Sequence, residues 1–173
     1  MSLFEESKMI FDIPDENLFR IEHSNFYSKM KGVSSVEFLC FLNSKLCWVE
    51  AKSSFPRAEN KEDFIKNIED IATKFIHSFE LYLSNFVGAN KLISSETPKA
   101  FLSYDFSHKL PLKFVLIINC YKIEKANIPI MISTIQDSFL KKFQGHKSIW
   151  NIDFIVIDHE TAIKYNLVKK LAI

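Results

Sequence analysis

Residues 36–52 read Val36-Glu-Phe-Leu-Cys-Phe-Leu42, Asn43-Ser44 and Lys45-Leu-Cys-Trp-Val-Glu-Ala-Lys52. Two apolar, aromatic-rich runs flank a short turn signal, and this pattern predicts a β-hairpin. With Asn43 and Ser44 as the two central residues of the turn, Glu37 lies opposite Glu50. The hairpin therefore brings two carboxylates together at the end remote from its turn.

The register of this hairpin decides which side chains share a face. Because side chains alternate along a strand, one face is expected to carry Glu37, Leu39, Phe41, Leu46, Trp48, Glu50 and Lys52. The opposite face is apolar as well, which is typical of a strand inside a covered sheet. A loop of three or five residues would instead place Glu37 beside Val49 or Ala51.

The charged end of the hairpin needs a physical explanation. Like charges that face each other across two strands destabilise a sheet, and partial burial raises the cost. Lys52 can offset one carboxylate, whereas a divalent cation between Glu37 and Glu50 would offset both, because Mg²⁺ prefers oxygen ligands. The alternative is that the two glutamates lie at an exposed sheet end and pair with lysines in solvent.

The arrangement resembles the PD-(D/E)XK nuclease superfamily, in which an acid on one strand is followed by (Asp/Glu)-x-Lys on the next. Glu37 stands for the first acid, Glu50 for the second and Lys52 for the lysine, with Val36-Glu37 in place of Pro-Asp. The resemblance implies that Glu37, Glu50 and the Ala51 carbonyl hold Mg²⁺ or Mn²⁺. It also implies that Lys52 orients the attacking water or neutralises the developing charge.

Three further residues are candidates for the same site. The superfamily often has an extra acid near its N-terminus, for which Glu22 is the candidate, and a Lys or Gln on the next helix, for which Lys74 is best placed. Ser54 continues the face of Glu50 and Lys52 if the strand extends that far. The alternatives are that Glu22 is a solvated glutamate, that Lys74 lies at the margin of the core with its ammonium in water, and that Ser54 is an ordinary loop residue.

The remaining elements are predicted from apolar spacing and from helix caps. Asn60 as an N-cap and Gly88 as a stop signal bound a long amphipathic helix. Residues 113–121 and 151–158 read as strands joined by a helix that Gly145 ends, hence as a parallel βαβ unit. The shorter expected elements are strands at 9–11 and 18–21, helices at 25–31 and 160–168, and a strand or lid-like loop at 100–104 within the connector 88–111.

Composition and element order together predict the fold class. The 173 residues, 47% hydrophobic with 17 Phe, suit a single domain over residues 1–173. The expected class is α/β, with a mixed central sheet flanked by helices, and the resemblance implies a restriction-endonuclease-like core. The cysteines are expected to be buried and reduced, and Glu5 and Glu6 come too early for a signal peptide. We therefore expect a cytoplasmic protein without a membrane partner.

Two functions remain open on these residues. The first is an Mg²⁺- or Mn²⁺-dependent enzyme that hydrolyses phosphodiester bonds, in DNA rather than RNA, with a homodimer as one open arrangement. The second is a catalytically silent domain of the same fold that acts as a binding or interaction module. A net charge of +1 and only two arginines, Arg20 and Arg57, favour the second, since they provide no global basic field for nucleic acid.

Overall fold

The computed structural model of the chain describes residues 2–25, 27–89, 95–106 and 112–172. The strands are β1 (Ser2–Glu6), β2 (Met9–Ile13), β3 (Leu18–Phe19), β4 (Phe38–Leu42), β5 (Lys45–Lys52), β6 (Leu112–Ile118), β7 (Ile152–Asp158) and β8 (Val168–Leu171). The α-helices are α1 (Lys61–Phe86), α2 (Lys99–Leu102), α3 (Ile128–Lys142), α4 (Gln144–Trp150) and α5 (His159–Lys164). Short 3₁₀ turns lie at Asp15–Asn17, Ile21–His23, Tyr27–Lys29 and Lys125–Asn127.

The central sheet has the strand order β3-β4-β5-β6-β7. Its first three strands are antiparallel, whereas β5, β6 and β7 are parallel, so the sheet is mixed. Parallel neighbours need a crossover, which α1 provides between β5 and β6, and α3 with α4 between β6 and β7. The α/β class and the parallel βαβ unit predicted from the sequence are confirmed.

The hairpin β4–β5 has the predicted register. Residues 43–44 form the turn, with positive φ values of 49° and 63°, as expected for a two-residue type I′ turn. The last strand pair places Phe38 opposite Val49. One residue further along the same register, Glu37 lies opposite Glu50, so loops of three or five residues are excluded.

Each face of the central sheet is covered by its own apolar cluster. Trp48 and Phe114 pack beneath α1 and α3 on one face. On the other face, Phe38 and Val49 pack against a second sheet, of strand order β1-β2-β8, and against α5. Helices thus dominate one face, while a small antiparallel sheet and one short helix cover the other. Within the described residues, no helix has the length and apolar character needed to cross a bilayer.

Several short elements differ from the sequence prediction. Residues 99–102 form α2, so the strand or loop expected at 100–104 is wrong, and Gly145 lies inside α4 instead of ending a helix. The final helix ends at Lys164, after which β8 pairs with β2. Among the described residues of 25–31, a 3₁₀ turn at Tyr27–Lys29 takes the place of the expected helix. Segments this short have too few turns to show a period, so tertiary pairing decides their conformation. Within the connector, residues 90–94 and 107–111 lie outside the described residues.

Candidate active site

Glu50 is the centre of the charged group at the end of β5. It is fully buried, with 0% exposure, beneath the helical layer. Its Oε1 accepts a hydrogen bond from Lys74 Nζ at 2.8 Å and forms an ion pair with Lys52 Nζ at the same distance. Its Oε2 is also buried and has no hydrogen-bond partner among the described residues. The two ammonium groups explain how a carboxylate is tolerated here, yet one of its oxygens remains unsatisfied.

Lys52 and Lys74 reach Glu50 from different elements. Lys52 is the last residue of β5 and lies on the same strand face as Glu50, two residues on. Lys74 projects from α1, next to the core residue Phe75, and its ammonium lies on Glu50. Burial acts to lower the pKa of Lys74, but the charge of Glu50 and its hydrogen bond raise that pKa above the ordinary value.

Glu37 and Glu22 complete the acidic side of the group. Glu37 directly precedes β4, and its Oε1 lies 3.8 Å from Lys74 Nζ. Burial, a hydrogen bond with the Glu22 side chain and the negative charge of Glu50 raise the pKa of Glu37 to about 9. Glu22 approaches because β3, which pairs with β4, leads directly into the 3₁₀ turn that carries it.

The Ala51 carbonyl and the Ser7 hydroxyl meet at the same end of β5. The Lys52 carbonyl accepts a hydrogen bond from Asn119 N at 2.8 Å and so points towards β6. Successive carbonyls of a strand point to opposite sides, so the Ala51 carbonyl points towards the side of β4 and Glu37. Ser7 Oγ donates to it at 2.8 Å. Ser54 lies beyond the end of β5 and is exposed, so the strand does not extend to it.

Helix α1 also holds the segment that presents Glu37. The Val36 N–H donates to Ser78 Oγ at 2.8 Å, and the Ser34 N–H donates to His77 Nδ1 at 3.1 Å. Ser78 is fully buried and lies one helical turn beyond Lys74. One side of α1 thus supplies an ammonium to the acids and fixes the entry into β4. No motif in the sequence marks the contacts of Ser7, His77 or Ser78.

The donor set suits a hard divalent cation. The carboxyl groups of Glu22, Glu37 and Glu50 and the Ala51 carbonyl offer oxygen, which Mg²⁺ and Mn²⁺ prefer. The unsatisfied Oε2 of Glu50 is the observation that fits such a ligand. Against it, no group of three or more His, Cys, Asp or Glu side chains in the described ranges is arranged to hold a metal ion. The Lys74 ammonium, shared by Glu37 and Glu50, supplies the positive charge instead.

Comparison of the chain with models of protein families, with curated proteins and with solved structures found no match. The function is therefore inferred from the chemistry of the group around Glu50.

Proposed function

We propose that the chain is a metal-dependent phosphodiesterase that acts on nucleic acid, with DNA as its substrate. The buried Glu50, held through Oε1 by two lysines and left with an unsatisfied Oε2 among the described residues, carries the proposal. A buried ion pair is seldom the most stable solution for a fold, since apolar residues of similar volume are often as good or better. Its position at the carboxyl end of a parallel strand, where α/β folds commonly bind ligands, supports a functional role.

The order of elements supports a restriction-endonuclease-like core. An antiparallel hairpin is followed by a long helix, a strand, a helical crossover and a second parallel strand. Glu37 directly precedes β4, and Glu50 and Lys52 lie at the end of β5. Lys74 comes from α1, the helix that follows. This succession is similar to the one that the PD-(D/E)XK resemblance implies.

The residues of the group then have distinct roles. Glu37, Glu50 and the Ala51 carbonyl would hold Mg²⁺ or Mn²⁺, with Glu22 beside Glu37. A divalent ion in this position supplies Lewis acidity and stabilises negative charge on phosphate. Lys52, whose side chain is 29% exposed, can reach substrate and donate to a phosphate oxygen. Lys74 adds a second positive charge at the same rim of the sheet.

Cleavage of fluorescently labelled DNA, in Mn²⁺ or in EDTA, tests this function. Glu50→Gln and Lys52→Met keep the approximate side-chain size and are expected to lower the cleavage rate by about 100-fold or more. Lys45→Met is the matched control, because Lys45 begins the same strand at its other end. We expect Lys45→Met to cleave at the wild-type rate. Cleavage that survives both site substitutions would refute the assignment.

A catalytically silent binding module is the second candidate. It is favoured by the position of the Lys74 ammonium, which already balances Glu50 without a metal ion, while a pKa of about 9 leaves Glu37 uncharged at neutral pH. A silent module would cleave no nucleic acid. In calorimetry its wild-type form would bind no Mn²⁺, or would bind it as well as Glu37→Ala does. Either result would favour the module over the enzyme.

A further inference from the structure

The hairpin β1–β2 reaches the candidate site through its turn. Ser7 and Lys8 form this turn, with positive φ values of 50° and 63°. Besides the bond from Ser7 Oγ to the Ala51 carbonyl, the Ser7 carbonyl accepts a hydrogen bond from Asn119 Nδ2 at 3.5 Å. The turn therefore contacts the ends of two neighbouring strands, β5 and β6.

The Ser7 hydroxyl takes the place of a missing strand partner. The paired residues of β4 and β5 end with Phe38 and Val49, so the Ala51 carbonyl lies beyond the ladder. In the continued register Ala51 faces Val36, but the Val36 N–H donates to Ser78 Oγ instead. The Ser7 hydroxyl supplies the donor that the Ala51 carbonyl would otherwise lack.

Ser7 approaches the carbonyl from the face opposite to the acids. The small sheet that contains its hairpin packs on the face that carries the Ala51 side chain. The side chains of Glu50 and Lys52 lie on the other face of β5. A carbonyl oxygen has two lone pairs, so Ser7 can occupy one while a cation on the acidic face binds the other.

We propose that Ser7 is a positioning residue, which fixes the Ala51 carbonyl as a ligand of the cation. This inference rests on the proposed function, because it requires that the acidic group binds a metal ion. Hydrogen-bond partners of metal ligands orient those ligands, and their loss typically lowers metal affinity about 10- to 100-fold. Ser7→Gly is therefore expected to weaken Mn²⁺ binding by about tenfold or more.

Calorimetric titration of the full chain with Mn²⁺ tests the role of Ser7. Glycine adopts a positive φ readily, so Ser7→Gly removes the hydroxyl without straining the turn. Ser44→Gly is the matched control, because it makes the same exchange at a φ of 63° in the turn of the β4–β5 hairpin, far from Glu50. Ser7→Asn restores a donor, since asparagine tolerates this backbone conformation and carries amide N–H groups.

The possible outcomes separate this inference from the proposed function. Weaker Mn²⁺ binding in Ser7→Gly, with wild-type affinity in Ser44→Gly and recovery in Ser7→Asn, would support the role of Ser7. Wild-type affinity in Ser7→Gly, equal losses in both glycine variants, or no recovery in Ser7→Asn would overturn it while metal binding stands. A wild-type chain that binds no Mn²⁺ would overturn both the inference and the proposed function.

Discussion

Lys74 places its ammonium 2.8 Å from Oε1 of the buried Glu50. The contact joins the middle of the longest described helix to the end of a central strand, and the same ammonium lies 3.8 Å from Glu37 Oε1. A carboxylate taken out of water requires such a partner. Lys74 therefore acts as an internal counter-ion of Glu50, at a position where a bound metal ion would also neutralise the carboxylate.

Removing this counter-ion is expected to destabilise the chain. Lys74→Met should lower the free energy of unfolding by about 2 kcal/mol, less than for a fully buried pair because Lys52 remains on Glu50. Urea unfolding in EDTA measures this loss. Added Mn²⁺ should then stabilise Lys74→Met more than the wild type, because the ammonium no longer competes for the carboxylates.

The control for Lys74→Met uses an exposed ion pair that joins α3 to α1. Lys142→Met breaks the pair with Glu69 of α1, in which the Nζ–Oε1 distance is 3.2 Å and both side chains are largely exposed. Its cost is expected to stay below about 0.5 kcal/mol. Equal losses in Lys74→Met and Lys142→Met would show that Glu50 does not depend on its counter-ion.

The pKa of Glu37 predicts a dependence of stability on pH. The carboxyl has a pKa of about 9 in the folded chain, against an ordinary value of 4.5. Between pH 4.5 and pH 9 the Glu37 carboxyl binds more protons in the folded state than in the unfolded state. Its contribution to the free energy of unfolding is therefore complete below pH 4.5 and decreases as the pH rises towards 9. Glu37→Gln cannot titrate, so its stability relative to wild type should increase with pH by up to about 1.4 kcal/mol per unit.

Urea unfolding in EDTA at several pH values measures this difference. A stability difference between Glu37→Gln and wild type that stays constant between pH 4.5 and pH 9 would contradict the burial of Glu37 beside Glu22 and Glu50.

Ser78 is expected to stabilise the entry into β4. Ser78→Ala leaves the Val36 N–H without its partner in a buried environment, which should cost about 1–3 kcal/mol of unfolding free energy. Ser84→Ala makes the same exchange on α1, where the Ser84 hydroxyl bonds only the Leu81 carbonyl of its own helix among the described contacts. We expect Ser84→Ala to cost under about 0.5 kcal/mol. A comparison of the two urea midpoints decides whether Ser78 has this role.

Local signals in the sequence were enough to predict the hairpin and its faces. The Asn43-Ser44 turn determines the register, and strict alternation then places Glu50 and Lys52 together. Helical spacing puts Lys74 at the margin of the buried stripe of α1, from which it reaches Glu50. Both patterns are periodic over many residues, so they can be recognised in the amino-acid sequence alone.

Contacts between distant segments could not be predicted in the same way. The Ser7 hydroxyl and the Ala51 carbonyl are 44 positions apart, and nothing in a serine within a tight turn indicates its partner. The pairing of β8 with β2 joins the two ends of the described chain. The sequence predicts that Gly145 ends a helix, yet this residue has no positive φ and lies within α4. A glycine permits a left-handed backbone without requiring it.

Anomalous scattering from crystals soaked in Mn²⁺ tests the central claim most directly. We predict a manganese peak within bonding distance of Glu50 Oε2, the Glu37 carboxylate and the Ala51 carbonyl, with the Lys74 ammonium displaced from Glu50. A soaked structure without manganese at this position, in which Lys74 still bonds Glu50 Oε1, would contradict the claim that these residues form a metal-dependent active site.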